Sequence, residues 1–179
     1  LVKENTLPQK IPQADSAQKI FPAPDKNLFA LAKIQNEEFR VDILDTEALK
    51  NNQVFSFPQA YLPQNEENIE WSPDNRQLII PLEQNLMRSY FIVNLKDNNA
   101  TELQKFTPNE HSLSNPRWDS TTRNFIFYLS GNTLYRANTE ISEAAPLFVK
   151  ENVIAYDISG NNIYYLSNGS GIIYRIPAN

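Results

Sequence analysis

Apolar residues in this chain arrive in short, nearly unbroken runs. Leu28–Ile34, Leu78–Leu82, Phe125–Leu129 and Ile163–Leu166 are apolar at consecutive positions, not at every second one. Short runs of this kind, bounded by turn formers, predict strands buried on both faces. An aromatic residue and six mostly polar turn formers precede each run. The pairs are Phe21 with Leu28, Trp71 with Leu78, Trp118 with Phe125, and Tyr156 with Ile163. The step is seven residues each time, and the copies start 50, 47 and 38 residues apart. A recurring unit of this length marks a repeat architecture.

The same parts follow in the same order within each unit. A first strand ends at the aromatic. A turn follows, such as Pro24-Asp25-Lys26-Asn27 or Pro73-Asp74-Asn75-Arg76, in which Pro presets φ and Asp bonds the backbone two residues on. The apolar run is the second strand. Third strands are predicted at Arg40–Leu44, Ser89–Leu95, Thr133–Ala137 and Ile172–Ile176. Fourth strands are predicted at Gln53–Phe57, Thr101–Phe106 and Pro146–Val149, with none in the last unit. Ser130-Gly131-Asn132 and Asn168-Gly-Ser-Gly171 suit tight hairpins. Asp45–Lys50 and residues 138–145 could each make one helical turn, but no apolar stripe supports a longer helix. Residues 1–19 lack sustained alternation. They read as a linker from an upstream domain or as an edge strand at Leu1–Thr6 that closes the fold.

Composition narrows the function classes. The net charge is −5, from 16 basic and 21 acidic residues, which argues against a nucleic-acid surface and an anionic-membrane patch. With no cysteine, disulfides and thiolate metal sites are excluded. No apolar run reaches the roughly 18–20 residues that span a bilayer. The chain opens on Leu1 with no visible signal peptide, so a piece of a longer protein is expected. Only 4 glycines are present, so asparagine is expected to take the left-handed turn positions.

Trp71-Ser-Pro-Asp-Asn-Arg-Gln-Leu78 resembles the WD40-like (PD40) repeat of the TolB-type β-propellers, with Asn75 where that family usually has Gly. Unit one keeps Pro24-Asp25 but has Phe21 for Trp. Unit three keeps Trp118 without the Pro-Asp, and unit four keeps only Tyr156 and a Ser-Gly-Asn turn. The resemblance implies an all-β, propeller-like array of about four antiparallel blades, at about 20–58, 68–107, 115–150 and 152–179. Four blades are the lower edge of the usual range, so a small propeller or part of a larger ring is expected. The family also implies a protein-binding platform in the bacterial envelope, or a domain appended to a peptidase or other enzyme.

Candidate chemistry is sparse. His111 is the only histidine. It could serve a nucleophile only with partners the sequence does not reveal, and a solvated loop position explains it as well. Asp42 and Asp45 stand three apart near a strand end and read as solvated rather than as calcium ligands. No Gly-rich phosphate loop is present, and no cofactor is expected. Tyr135, Tyr164, Tyr165 and Tyr174 are expected to pack between blades. Binding is assigned to the loops between second and third strands and to those joining blades, with Tyr61, Arg88 and His111 as candidate contacts. The expected activity is non-enzymatic binding of a protein or peptide. An enzyme-associated propeller that gates substrate, or a surface spacer, are the alternatives.

Overall fold

The computed structural model describes residues 14–48, 50–63, 68–85, 87–106, 113–122, 124–141 and 145–178. Four antiparallel meander sheets follow one another along the chain. Sheet 1 holds β1 (Lys19–Pro22), β2 (Leu28–Gln35), β3 (Glu38–Asp45) and β4 (Lys50–Pro58). Sheet 2 holds β5 (Glu70–Trp71), β6 (Gln77–Gln84), β7 (Met87–Asn94) and β8 (Asn99–Glu102). Sheet 3 holds β9 (Leu113–Trp118), β10 (Phe125–Ser130), β11 (Thr133–Asn138) and β12 (Leu147–Glu151). Sheet 4 has three strands, β13 (Val153–Ser159), β14 (Asn162–Ser167) and β15 (Ile173–Pro177). The strand expected over Thr101–Phe106 stops at Glu102. A single 3-10 turn, Leu103–Phe106, follows and buries Leu103 completely. The Leu1–Thr6 edge strand lies outside the described residues.

Each sheet packs face to face on the next. Ala30, Ala32, Val41 and Ile43 of sheet 1 meet Trp71, Leu78 and Ile80 of sheet 2. Ile79, Tyr90 and Ile92 meet Trp118, Ile126 and Tyr128. Phe127, Leu129 and Leu134 meet Tyr156, Ile163 and Tyr165. Consecutive residues of a strand point to opposite faces, so a second strand held between two sheets must be apolar throughout. β6 meets that demand along Leu78–Leu82, apolar and buried at every position. β14 does not: Ile163 and Tyr165 are buried while Tyr164 is exposed. The expectation of two buried faces therefore fails in sheet 4, because no described sheet covers its second face.

Strand pairing shifts the equivalence read from the aromatics. Pro22 pairs with Phe29, Trp71 with Leu78, and Trp118 with Ile126. Phe29, Leu78, Ile126 and Ile163 therefore share one register position, with cross-strand partners Leu44, Val93, Ala137 and Ile176. Leu28 and Phe125 sit one residue earlier, level with Gln77. The turn, not the aromatic, sets the register. Ala23-Pro24-Asp25 overlays Ser72-Pro73-Asp74, which puts Pro22 in the tryptophan position and Lys26 at the place of Asn75. Both are left-handed, with φ of 63° and 61°. Turn three is one residue longer. Unit four has a two-residue turn with Gly160 at φ 55°, so Ile158 takes the tryptophan position and Tyr156 lies two residues inside the strand.

A second repeat is invisible in the apolar pattern. Asp45, Asn94 and Asn138 end the third strands at one register position. Each side-chain Oδ1 accepts from the backbone N–H two residues on, at 2.9, 2.9 and 2.8 Å. This Asx geometry makes the tight turn that leaves the strand. At Asp45 it forms the turn expected as a short helix.

Candidate functional site

Antiparallel order sends the β2–β3 and β6–β7 turns and the β4–β5 loop to one end of the array. Asn36, Glu37 and Asn85 adopt positive φ there, which suits two-residue hairpins. The β4–β5 loop is pinned at Tyr61. Its N–H donates to the Glu83 carbonyl at 3.1 Å, and the Glu83 N–H donates back at 2.9 Å. Glu83 in turn pairs across the strands with Arg88. Tyr61, Glu83 and Arg88 thus form one row at the loop end, so two of the three expected contacts come together. His111, the third, lies outside the described residues.

Tyr61 is 40% exposed, Ile34 53% and Met87 72%. All three belong to this end. Beside Tyr61 runs an open groove of about 520 Å³ lined by Gln18, Lys19, Ala32, Ile34, Phe39, Tyr61, Leu62 and Pro63. It is shaped by two backbone elements that cannot shift freely: Gln18 N–H bonds Ala32 at 2.8 Å, and Tyr61 is doubly bonded to β6.

A second polar group lies along the first strands. Glu70 Oε2 is 3.4 Å from Arg117 Nη1, and Oε1 accepts the Trp118 N–H at 3.4 Å. Burial pushes the Glu70 carboxyl up, and the Arg117 charge and the Trp118 N–H offset that only in part. Tyr156 is driven well above its ordinary 10.0, first by burial and then by the Glu70 charge. Its hydroxyl donates to the Asn115 carbonyl at 2.6 Å, which ties sheet 4 to sheet 3. Sequence reading missed Glu70 and Arg117, because nothing in a strand end and a bulge announces that they meet.

Two buried ion pairs are structural. Asp119 is fully buried and accepts from Arg136 at 2.6 Å, Thr121 at 2.6 Å and Thr122 at 2.7 Å. Burial raises its carboxyl, but the Thr121, Thr122 and Arg136 donors outweigh that and hold it below 3.8. Asp42, expected to be solvated, is only 2% exposed and lies 2.5 Å from Lys33 Nζ. Lys33 supplies the cation that lets a carboxylate sit there. Among the tyrosines expected between blades, Tyr165 is in the sheet 3–sheet 4 core and Tyr135 packs beside the sheet 2–sheet 3 core. Tyr174 stacks on Tyr165 at 5.4 Å, whereas Tyr164 faces out. Among the described residues no three His, Asp or Glu side chains gather as a metal site. No helix there is long and apolar enough to cross a membrane.

No protein-family model matches the chain, and no curated protein matches it. Solved structures do. The chain is similar to an uncharacterized protein, lmo1340, from Listeria monocytogenes EGD-e, with TM-score 0.65 and 10% identity over 90% of this chain and 53% of that one. The Dos1 propeller follows at TM-score 0.54 and 13% identity, over 89% of this chain and 41% of the other. Kluyveromyces lactis Hsv2p gives 0.51 and 11%, over 92% and 47%. This chain spans about half the length of these structures. Identity this low speaks for fold alone. Four meander sheets stacked in sequence define the class: an all-β, β-propeller-like array whose sheets, among the described residues, do not close a ring, sheet 4 having one face uncovered.

Proposed function

We propose that this chain is a non-enzymatic binding module that takes an extended peptide segment of a protein partner at its loop end. One observation carries the reading: Ile34, Tyr61 and Met87 expose large apolar side chains at the end where the hairpin turns and the blade-joining loop emerge. Loops on a rigid frame are where binding residues concentrate, and a pinned tyrosine offers an amphipathic ring at little entropic cost. The groove beside Tyr61 gives an extended apolar segment a place to lie. Arg88 adds a cation to the row that Tyr61 and Glu83 begin. A setting in the bacterial envelope, implied by the resemblance of the Trp-Ser-Pro-Asp turn to TolB-type repeats, belongs to the same proposal.

Selection from a random displayed-peptide library, followed by fluorescence anisotropy on the selected peptides, tests it. The expected result is a set of peptides whose affinity falls about tenfold in Tyr61→Ala and Ile34→Ala, near the loss of one anchor side chain. Substitution of Lys26, at the opposite end, should leave affinity unchanged. Failure to select any peptide, or equal binding by Tyr61→Ala, would remove the reading.

A further inference from the structure

We propose that the uncovered face of sheet 4 docks a second copy of this chain, related by a two-fold axis that runs along β14 in the plane between the copies. The starting point is register. In sheets 1 to 3, pairs of second- and third-strand residues that face the next sheet are buried, as Ala30 with Ile43, Ile79 with Ile92, and Leu129 with Leu134, while Arg136, at the place of Arg175, is part-buried beside Phe127 and paired with Asp119. Tyr164 with Arg175, and Leu166 with Ile173, hold the corresponding places in sheet 4. Here Tyr164 is 38% exposed and Ile173 71%. The face keeps the apolar residues of a packing surface and has nothing described on it.

The occupant follows from the charges. Asp157, Tyr164 and Arg175 form one cross-strand row, acidic on β13 and basic on β15. The next row is Ala155, Leu166 and Ile173, small on β13 and large on β15. Rotation about an axis along β14 exchanges left and right while keeping each row in line. It sets Asp157 over the second copy's Arg175, and Arg175 over its Asp157. Tyr164 then meets Tyr164, and Ile173 meets the small Ala155. An axis across the strands would instead oppose Asp157 to Asp157. The row is therefore self-complementary in charge and in size for one two-fold arrangement, the condition an isologous interface must satisfy. Strands related this way run aligned, as in face-to-face sheet packing.

Sedimentation equilibrium over a concentration series tests the proposal on the whole chain. The expected species has twice the 20.6 kDa chain mass. Arg175→Asp alone should weaken it by about tenfold or more, because like charges then face each other twice. The double variant Asp157→Arg with Arg175→Asp should restore it, and both variants should keep the parent's circular dichroism and melting temperature. Tyr164→Glu should give monomer. A parent that stays monomeric overturns the proposal and leaves the face to some other sheet. So does a dimer indifferent to these substitutions, or an open-ended ladder of higher oligomers.

Discussion

The Trp118 indole N–H donates to the backbone carbonyl of Glu70 at 3.1 Å, across the gap between sheets 2 and 3. The Trp71 indole makes the same bond to Phe21 at 3.0 Å across the gap between sheets 1 and 2. Phe21 and Glu70 occupy one register position, so the bond is a repeating clasp. Replacing Trp118 with Phe keeps most of the apolar bulk and removes the donor. Denaturant unfolding should show a loss of about 1 kcal/mol for each of Trp71→Phe and Trp118→Phe. Equal stability of both variants and parent would show that the clasp contributes nothing.

Glu70 gives the chain an acid-side gain. Its carboxyl is raised above 4.5 by burial, so ionisation is less favourable in the folded state than in the unfolded one. Stability held below the unfolded value is lost as pH rises through the folded one. Glu70→Gln, which cannot ionise, should be more stable than the parent at pH about 7. The difference should shrink toward zero below pH about 4. Thermal melts at the two pH values measure this directly, and an opposite trend would mean that the Arg117 pair dominates.

Asp119 works in the other direction. Its carboxyl is lowered below 3.8, so it stabilises the fold above the unfolded value, and this is lost as pH falls through the folded one. Asp119→Asn should cost about 2 kcal/mol at neutral pH, the range for hydrogen bonds to a charged group. Much of that cost should vanish in strong acid. A pH-independent cost would assign the effect to packing.

The buried Lys33–Asp42 pair predicts asymmetry between single and double variants. Asp42→Ala strands the Lys33 ammonium and should cost about 3 kcal/mol. Lys33→Met combined with Asp42→Leu should recover most of that, because apolar residues of similar volume need no charge partner. A double variant no better than the single one would contradict this.

Lys26 stands at φ 63°, where a side chain with a Cβ is strained. Lys26→Gly should stabilise the chain by about 1 kcal/mol. Asn75→Gly, at φ 61°, should gain less, since asparagine tolerates this region. Calorimetry on the pair decides the order.

The four sheets and most second strands were legible because a strand covered on both faces is apolar at nearly every buried position, and β2, β6 and β10 announce it. The one-residue offset in units one and three was not. Aligning Phe21 with Trp71 satisfies the eye, but a hairpin takes its register from the turn, where Pro24-Asp25 overlays Pro73-Asp74. The Asp45, Asn94 and Asn138 caps were missed because a polar residue at a strand end looks like any surface position. Asp42 read as solvated because its counter-ion, Lys33, is hidden inside an apolar run. Tyr61 and Arg88 lie at the end where strand alternation sends the hairpin turns and the blade-joining loop. Glu70 and Arg117 are 47 residues apart, and no local pattern connects them.

Sheet 4 has three strands and one described neighbour, where sheets 2 and 3 are gripped from both sides. In a stack held by nearest-neighbour contacts, such a terminal element is the weakest link of the single chain, before any second copy covers it. Amide exchange should reach β15 before β6. Under tension the molecule would peel from that side, one sheet after another, like a roll of tape with a lifted corner.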